Sequence, residues 1–156
     1  MELIPVTAQT EQEACGLRVF PEQEPFVASN AESLLDARDA VRQGVTARPF
    51  LLYHRDQAVG FVLLSYGAPD APSSVGVSSY CIWRLMIDCR FQGRGLGRLA
   101  MEAILTYLRQ LPQGPGEYVW LSYEPENETA RALYHSFGFR ETGEQDGTET
   151  VAALLL

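Results

Sequence analysis

The chain has 156 residues, of which 46% are hydrophobic and 21% are charged. At roughly 150 residues per domain we expect a single domain over residues 1–156, and this composition excludes a disordered, collagen-like or coiled-coil chain. The net charge of −8 makes nucleic acid and anionic membrane surfaces poor partners.

The N-terminal part of the chain predicts one short strand and one amphipathic helix. The strand is expected over residues 3–7, and a polar, irregular or one-turn helical region extends from there to Gln23. Asn30 is predicted to cap a helix that ends near Gly44. Residues 1–20 lack the apolar stretch of a secretory signal, and no run approaches about 18 apolar residues, so we expect a cytoplasmic protein without a membrane span.

A hairpin and a loop are predicted next. Residues 49–53 and 59–66 are rich in β-forming side chains, and the polar residues 55–57 between them indicate a turn. Residues 67–79 contain glycine, proline, aspartate and serine, which favour a loop.

The strongest helix signal follows a glycine-rich turn. Residues 80–87 form a dense apolar run that predicts a strand, and glycines follow at positions 93, 95 and 97. Apolar residues then recur at the spacing of one helix face as far as Leu111. Residues 112–116 contain proline and glycine, which end the helix.

The last part of the chain predicts a strand over residues 118–123, a short helix and a closing hairpin. Asn127 is expected to cap the helix, and Gly138 to stop it. Residues 139–144 and 150–155 predict an antiparallel pair. The order of strands and helices indicates a layered α/β protein with a mixed sheet.

The glycine-rich turn and the helix start predict an anion site. The first turn of a helix leaves backbone N–H groups unpaired and carries a partial positive charge, and glycines let a ligand approach the backbone. Residues 47–116 hold 7 arginines against 4 acids, which adds full charges nearby. A diphosphate or a similar anion fits this pattern, and a tight strand–helix connection without a ligand is the alternative.

Other common sites do not match the sequence. The chain has no lysine, which excludes a P-loop, and Arg98 stands where the dinucleotide fingerprint needs its third glycine. His54 and His135 are far apart, so we expect neither a metal site nor a Ser-His-Asp triad.

Two segments resemble the GNAT N-acetyltransferase superfamily. Residues 92–97, Gln-Gly-Arg-Gly-Leu-Gly, match the pattern [QR]-x-x-G-x-[GA] of its motif A, and residues 127–139 resemble N-x-x-A-x-x-[LF]-Y-x-x-x-G-F. The resemblance covers residues 47–156 well and residues 1–46 only in general order. Residues 83–88 and the polar C-terminal hairpin are similar to bacterial spermine/spermidine N-acetyltransferases.

The resemblance implies a GNAT-like fold of the α/β (α+β) class, with a mixed, mostly antiparallel central sheet of about seven strands and about four flanking helices. It implies direct transfer of an acetyl group from acetyl-CoA to a primary amine, here a small polyamine-like substrate, with Tyr134 as the general acid. The implied cofactor-binding residues are Leu85, Met86, Ile87, Gln92, Gly93, Arg94, Gly95, Leu96, Gly97, Arg98 and Asn127.

The resemblance also places the amine pocket in the acidic N-terminal third, with Phe26 and Tyr80 as expected aromatic walls. Acids on a solvated helix face are the alternative interpretation of that region. The general base stays open, because Asp88 is expected to be structural and Glu124 to be an exposed acid. The alternative functions are a protein N-terminal or lysine acetyltransferase and a non-catalytic acetyl-CoA-binding regulatory module. A homodimer is expected by analogy alone.

Overall fold

The computed structural model describes residues 1–156, which form a seven-stranded sheet and four α-helices. The strands are β1 (Glu2–Pro5), β2 (Thr46–His54), β3 (Gln57–Tyr66), β4 (Tyr80–Ile87), β5 (Tyr118–Tyr123), β6 (Arg140–Asp146) and β7 (Glu149–Leu155). The helices are α1 (Glu11–Gly16), α2 (Asn30–Arg42), α3 (Leu96–Leu108) and α4 (Glu128–Ser136), and 3-10 turns lie at Pro21–Phe26 and Cys89–Phe91.

The strands lie in the order β1-β2-β3-β4-β5-β7-β6. Only β4 and β5 are parallel neighbours, and every other neighbouring pair is antiparallel. Parallel neighbours need a crossover connection, which α3 supplies between these two strands. The predicted mixed, mostly antiparallel sheet and its flanking helices are therefore confirmed.

Helices cover both faces of the sheet, because successive residues of a strand point to opposite faces. Val62 of β3 packs with Ile104 of α3 and Tyr134 of α4 in one buried cluster. Its neighbour Phe61 packs with Leu34 of α2 and Ala14 of α1 in another. We call these two sides the α3 face and the α2 face.

The start of α2 differs from the prediction. Ser29 caps the helix, because its hydroxyl accepts the Glu32 N–H and the Glu32 carboxylate accepts the Ser29 N–H. Asn30 is instead the first helical residue and is buried. Its side-chain amide donates to the carbonyls of Ala14 at 2.9 Å and Leu17 at 3.4 Å. Both Ser29 and Asn30 are suitable caps. The Asn30 side chain is engaged with the carbonyls at the end of α1, so Ser29 serves as the cap.

The end of α3 also differs. The helix stops at Leu108, and Leu111 has a φ of 51°. Leu111 precedes Pro112, and a proline disfavours helical geometry at the residue before it. The other predicted strands and helices are present, with their ends shifted by a few residues. No helix in the chain combines the length and the apolar composition that crossing a bilayer requires.

The parallel strands β4 and β5 separate soon after they begin. Their last pair joins Cys81 to Trp120, although β4 continues to Ile87 and β5 to Tyr123. Trp83 has no partner in β3, where the register shifts by one residue. Such a β-bulge bends its strand and increases its twist. The bulge accounts for an opening between the C-terminal halves of β4 and β5, which we call the β4–β5 wedge.

Candidate active site

The β4 edge of the wedge presents backbone groups that no neighbouring strand pairs. Just after β4, the Asp88 N–H points away from the wedge and donates to the Val59 carbonyl of β3 at 2.9 Å. N–H groups alternate between the two edges of an extended strand, so those of Leu85 and Ile87 point into the wedge. The Met86 N–H points to β3, and the Met86 side chain packs on the α2 face. An extended ligand with amide groups can bind such an edge as an added strand.

α3 begins without the cap that the neighbouring helix has. Asn127 caps α4 as predicted, because its Oδ1 accepts the Ala130 N–H at 3.3 Å. α3 has Gly95 at its cap position, with no capping side chain and no acidic residue in the first turn. Leu99 is the first residue of α3 whose N–H donates a backbone hydrogen bond within the helix, to the Gly95 carbonyl. The N–H groups before it stay unpaired at the positive end of the helix dipole.

The glycines keep the surface of this loop open. Gly93 and Gly95 have φ values of 74° and 75°, which L side chains rarely adopt. A Cβ at either position would meet nothing within 4 Å, so the space above the loop is free for a ligand. Gly97 lies where α3 contacts α4, because a Cβ there would lie 3.5 Å from the Leu133 side chain.

Four arginines lie within 15 residues of the sequence, at positions 84, 90, 94 and 98. They differ in how far their charges are neutralised. Arg84 and Arg90 each form an ion pair with a carboxylate, at 2.9 Å and 2.8 Å. Arg94 forms no ion pair and lies with its guanidinium 5.8 Å from an aromatic ring centre. The single ion pair of Arg98 is a long contact of 3.5 Å with Glu102. Arg94 and Arg98 are therefore the cations available to an anion at the loop.

Gln92 ties the start of the loop to β4 and to the N-terminal part of the chain. Its Nε2 donates to the Ile87 carbonyl at 2.9 Å. It also pairs reciprocally with Gln23, with Gln92 Nε2 to Gln23 Oε1 at 2.8 Å and Gln23 Nε2 to Gln92 Oε1 at 3.0 Å. Gln23 could not be predicted from the sequence, because no local pattern links residues that are 69 positions apart.

Asp88 anchors the same loop. It is 1% exposed, and it accepts the Arg18 N–H at 3.0 Å and the Arg90 N–H and Nε at 2.9 Å and 2.8 Å. The Cys89 N–H donates to the Arg18 carbonyl at 2.8 Å. Burial raises the pKa of Asp88, but the hydrogen bonds from Arg90 and Arg18 outweigh it and hold the pKa below its usual range. Asp88 is a structural group, as expected.

We expect Asp88→Asn to lower the free energy of unfolding by about 2–3 kcal/mol at pH 7, because an amide cannot accept all of these hydrogen bonds. The folded-state pKa lies below the unfolded value, so the carboxylate stabilises the fold above about pH 4 and loses this effect at lower pH. Urea unfolding should therefore show a smaller difference between wild type and variant at pH 3. Asp56→Asn, at the exposed hairpin tip, is the control, with an expected change within about 0.5 kcal/mol. Equal stability of Asp88→Asn and wild type at pH 7 would contradict the anchoring role.

Tyr134 of α4 lies beside the end of β5. It is 9% exposed, and its ring centre lies 5.9 Å from that of Tyr123 and 6.0 Å from that of Phe139. Burial, followed by the negative charge of Glu149, raises the pKa of Tyr134 to about 12. The hydroxyl has no hydrogen-bond partner in the chain. Trp120 Nε1 is the only side-chain polar atom that is both fully buried and without a partner, so the Tyr134 hydroxyl keeps some exposure to solvent. Tyr134 therefore presents a protonated, unpartnered hydroxyl next to the wedge.

A cavity of about 340 Å³ lies on the α2 face, between α1, the Pro21–Phe26 turn, the start of α2 and the Met86 side chain. Glu24 and Glu32 line it together with Arg18, so the charges of the lining sum to a net negative value. The Glu32 carboxylate accepts the Ser29 N–H and hydroxyl at 3.0 Å and 2.8 Å, whereas that of Glu24 has no ion pair or hydrogen bond. An acidic cavity next to β4 favours a cationic group.

The two aromatic residues expected in the amine pocket do not come together. Phe26 closes the turn beside the cavity but is not part of its lining. Tyr80 lies at the opposite end of β4 and is 1% exposed. Its hydroxyl donates to the Gly114 carbonyl at 2.7 Å and accepts the Gln113 N–H at 3.1 Å. The expectation for Tyr80 is therefore corrected, because this side chain belongs to the core and holds the loop after α3.

Known proteins resemble this chain in sequence and in fold. Residues 12–139 match the model of the acetyltransferase (GNAT) family. The chain is 30% identical over 142 residues to the spermine/spermidine N(1)-acetyltransferase of Bacillus subtilis strain 168. The aligned region covers 90% of this chain and 88% of that protein. An acetyltransferase structure from Thermus thermophilus matches with a TM-score of 0.73 at 23% identity, over 99% of this chain and 96% of that one. The spermidine N-acetyltransferase from Vibrio cholerae, solved with CoA and spermine, matches with a TM-score of 0.69 at 18% identity, over 99% and 94%.

The family match spans the glycine loop, the wedge and the segment that contains Tyr134. The relative in Bacillus subtilis extends the likeness to most of both chains. The structural likenesses, at 23% and 18% identity, support the fold. The chain therefore belongs to the acetyltransferase (GNAT) family, and it is an acyltransferase whose cosubstrate is acetyl-CoA.

Proposed function

We propose that this enzyme transfers the acetyl group of acetyl-CoA directly to a primary amine of a small, polyamine-like substrate, with Tyr134 as the general acid. The position of the β4–β5 wedge carries the proposal. The anion-binding loop adjoins the C-terminal end of the wedge, and the acidic cavity adjoins β4 at Met86. A thioester in the wedge would thus lie between a site for phosphate and a site for a cationic amine.

The chain offers matching groups to each part of acetyl-CoA. The unpaired N–H groups of residues 93–98 and the charges of Arg94 and Arg98 suit its diphosphate. The N–H groups of Leu85 and Ile87 suit the amide carbonyls of the pantetheine arm. Asn127 uses only its Oδ1 as a helix cap, so its side-chain nitrogen stays free for the same arm. The open space over the glycines leaves room for the nucleotide.

Acyl transfer from a thioester needs a donor for the oxyanion and a proton for the sulfur. The Ile87 N–H, which points into the wedge, can donate to the developing oxyanion. The Tyr134 hydroxyl, with its pKa of about 12, is protonated throughout the physiological range and can give its proton to the leaving sulfur. Direct transfer needs no enzyme nucleophile, and burial raises the pKa of the Cys81 thiol, which keeps it unreactive.

The acidic cavity supports a polyamine-like acceptor. Its volume of about 340 Å³ lies at the lower end of the range for small-molecule sites, roughly 300–1,000 Å³. Glu24 forms no ion pair in the chain, although Arg18 lines the same cavity. The name of the Bacillus subtilis relative, a spermine/spermidine N(1)-acetyltransferase, supports the same substrate class.

A panel of acceptors tests the proposal. Purified enzyme and acetyl-CoA would be combined with spermidine, spermine, a simple monoamine, a lysine peptide and a peptide with a free N-terminus, and thiol release followed. We expect kcat/KM for spermidine or spermine to exceed that for either peptide at least tenfold. Turnover on a peptide alone would favour a protein acetyltransferase. Binding of acetyl-CoA by isothermal titration without turnover on any amine would favour a regulatory module.

Glu24→Gln should raise the KM for spermidine about fivefold, because loss of one favourable charge contact costs about 1 kcal/mol. The KM for acetyl-CoA should stay within twofold, since the loop is unchanged. Glu22→Gln removes an exposed carboxylate from the same turn outside the cavity lining, and it serves as the matched control. Steady-state kinetics with each substrate varied in turn make the comparison. If Glu24→Gln and Glu22→Gln both match wild type, the amine binds elsewhere.

A further inference from the structure

Glu149, the first residue of β7, is a carboxylate without a cationic partner. It accepts a hydrogen bond from the Ser122 hydroxyl of β5, and no arginine forms an ion pair with it. Ser122 lies two residues beyond Trp120, the last residue of β5 that pairs with β4. Ser122 also pairs with Val151 of β7, so Glu149 lies further towards the open end of the wedge.

Glu149 and Tyr134 flank the wedge from opposite faces of the sheet. Ser122 alternates along β5 with Tyr123, which belongs to the α3 face, so Ser122 and its partner Glu149 lie on the α2 face. Tyr134 lies on the α3 face. The negative charge of Glu149 contributes to the raised pKa of Tyr134, which indicates that the carboxylate lies within electrostatic reach of the hydroxyl.

The surroundings of Glu149 contain further acids, and no cation in the chain pairs with it. Asp146 pairs with it across the β6–β7 hairpin. Glu149 is coupled electrostatically to Tyr134 of α4 and Cys81 of β4. The arginines of the neighbouring α4 and β6 are engaged elsewhere, because Arg131 pairs with Glu141 and Arg140 donates to the Phe139 carbonyl. Glu124 accepts a hydrogen bond from the Thr148 hydroxyl at 2.8 Å, whereas Glu149 accepts one from the Ser122 hydroxyl. A cationic ammonium group is the missing complement to this cluster.

We propose that Glu149, oriented by the Ser122 hydroxyl, accepts the proton of the attacking amine; this rests on the proposed function. The ammonium group gives one proton to Glu149, and its nitrogen electron pair forms the C–N bond to the acetyl carbon. The C–S bond then breaks, and the sulfur leaves with the electron pair and takes the Tyr134 proton. The new amide nitrogen loses its second proton to the Tyr134 phenolate, and Glu149 releases its proton to solvent.

Glu149→Gln tests the assignment, with Glu124→Gln as the matched control. We expect kcat for spermidine to fall about 100-fold in Glu149→Gln and to stay within twofold in Glu124→Gln. The acidic limb of the pH profile of kcat, which protonation of the base produces, should disappear in Glu149→Gln alone. Ser122→Ala should lower kcat about tenfold and keep the acidic limb, because the carboxylate remains but loses its orientation.

Isothermal titration of spermidine in the presence of CoA gives a readout without turnover. The Kd for spermidine should rise several-fold in Glu149→Gln and stay unchanged in Glu124→Gln. A Glu149→Gln enzyme with wild-type kcat and acidic limb overturns the proposal, as does a loss confined to the KM for the amine. If wild-type enzyme acetylates no amine, the proposed function fails first. If wild type turns over normally and Glu149→Gln matches it, only the assignment of Glu149 fails.

Discussion

Tyr134→Phe should lower kcat about 100-fold and leave the Kd for acetyl-CoA within twofold of wild type. The substitution removes the hydroxyl that we propose as the donor to the leaving sulfur, and general acid catalysis contributes about 10²–10⁴-fold. The phenyl ring keeps the packing against Tyr123 and Phe139, so the cofactor site is undisturbed. Thiol release under saturating substrates gives kcat, and isothermal titration gives the Kd.

Tyr107→Phe is the control for Tyr134→Phe. Tyr107 lies on α3 with its ring centre 5.3 Å from that of Phe50, away from the wedge, and its hydroxyl also has no hydrogen-bond partner in the chain. Its kcat should stay within twofold of wild type. The thermal midpoints of both variants should remain close to wild type, because neither substitution breaks a hydrogen bond. Equal turnover of Tyr134→Phe and wild type would remove Tyr134 as the acid.

Gly95→Asp should weaken binding of CoA about thirtyfold relative to Gly95→Asn. A carboxylate about 8 Å from the diphosphate costs about 2 kcal/mol at an effective dielectric of about 20. Asparagine and aspartate have nearly the same shape, and both tolerate positive φ better than other side chains, so the pair isolates the charge. Isothermal titration of CoA into each variant measures the difference.

The stability of the two Gly95 variants should change in the opposite direction. A negative charge at the start of a helix is favourable with respect to its dipole, so Gly95→Asp should melt at the same temperature as Gly95→Asn or slightly higher. Weaker binding in a variant that is no less stable would show that the helix start holds an anion. Equal Kd values for the two variants would place the diphosphate elsewhere.

The elements around the loop between β4 and α3 could be predicted because their signals are local. The glycines at positions 93 and 95 are required by positive φ values in the loop itself, and the apolar spacing of α3 follows from one helix face. The hairpin predicted at residues 55–57 is similarly local, since Arg55 and Asp56 adopt the positive φ values of 51° and 61° that two-residue hairpin turns need.

The packing of the N-terminal segment against the site could not be predicted because its contacts are distant in sequence. Gln23 meets Gln92, and Arg18 meets Asp88, across 69 and 70 positions. The bulge at Trp83 also changes which side chains of β4 share a face. Tyr80 packs on the α3 face, whereas Met86, an even number of residues later, packs on the α2 face. A regular alternation would place both on one side, so pattern alone assigns the lining of the pocket incorrectly.

Glu149, the proposed base, shows the same limit. It is one of 8 acids in residues 117–156, and nothing in the local sequence separates it from Glu124 or Asp146. The separation of β4 from β5 and the hydrogen bond from Ser122 distinguish it, and both depend on strand register. The motif therefore predicts the loop proposed for the cofactor, while the tertiary structure is needed to find the groups proposed to face the amine.

A crystal structure of this protein grown with CoA tests the central claim most directly. The account predicts diphosphate oxygens within about 3 Å of the N–H groups at the start of α3, with the pantetheine arm between β4 and β5. A nucleotide seated on another surface, with the loop between β4 and α3 unliganded, would contradict it.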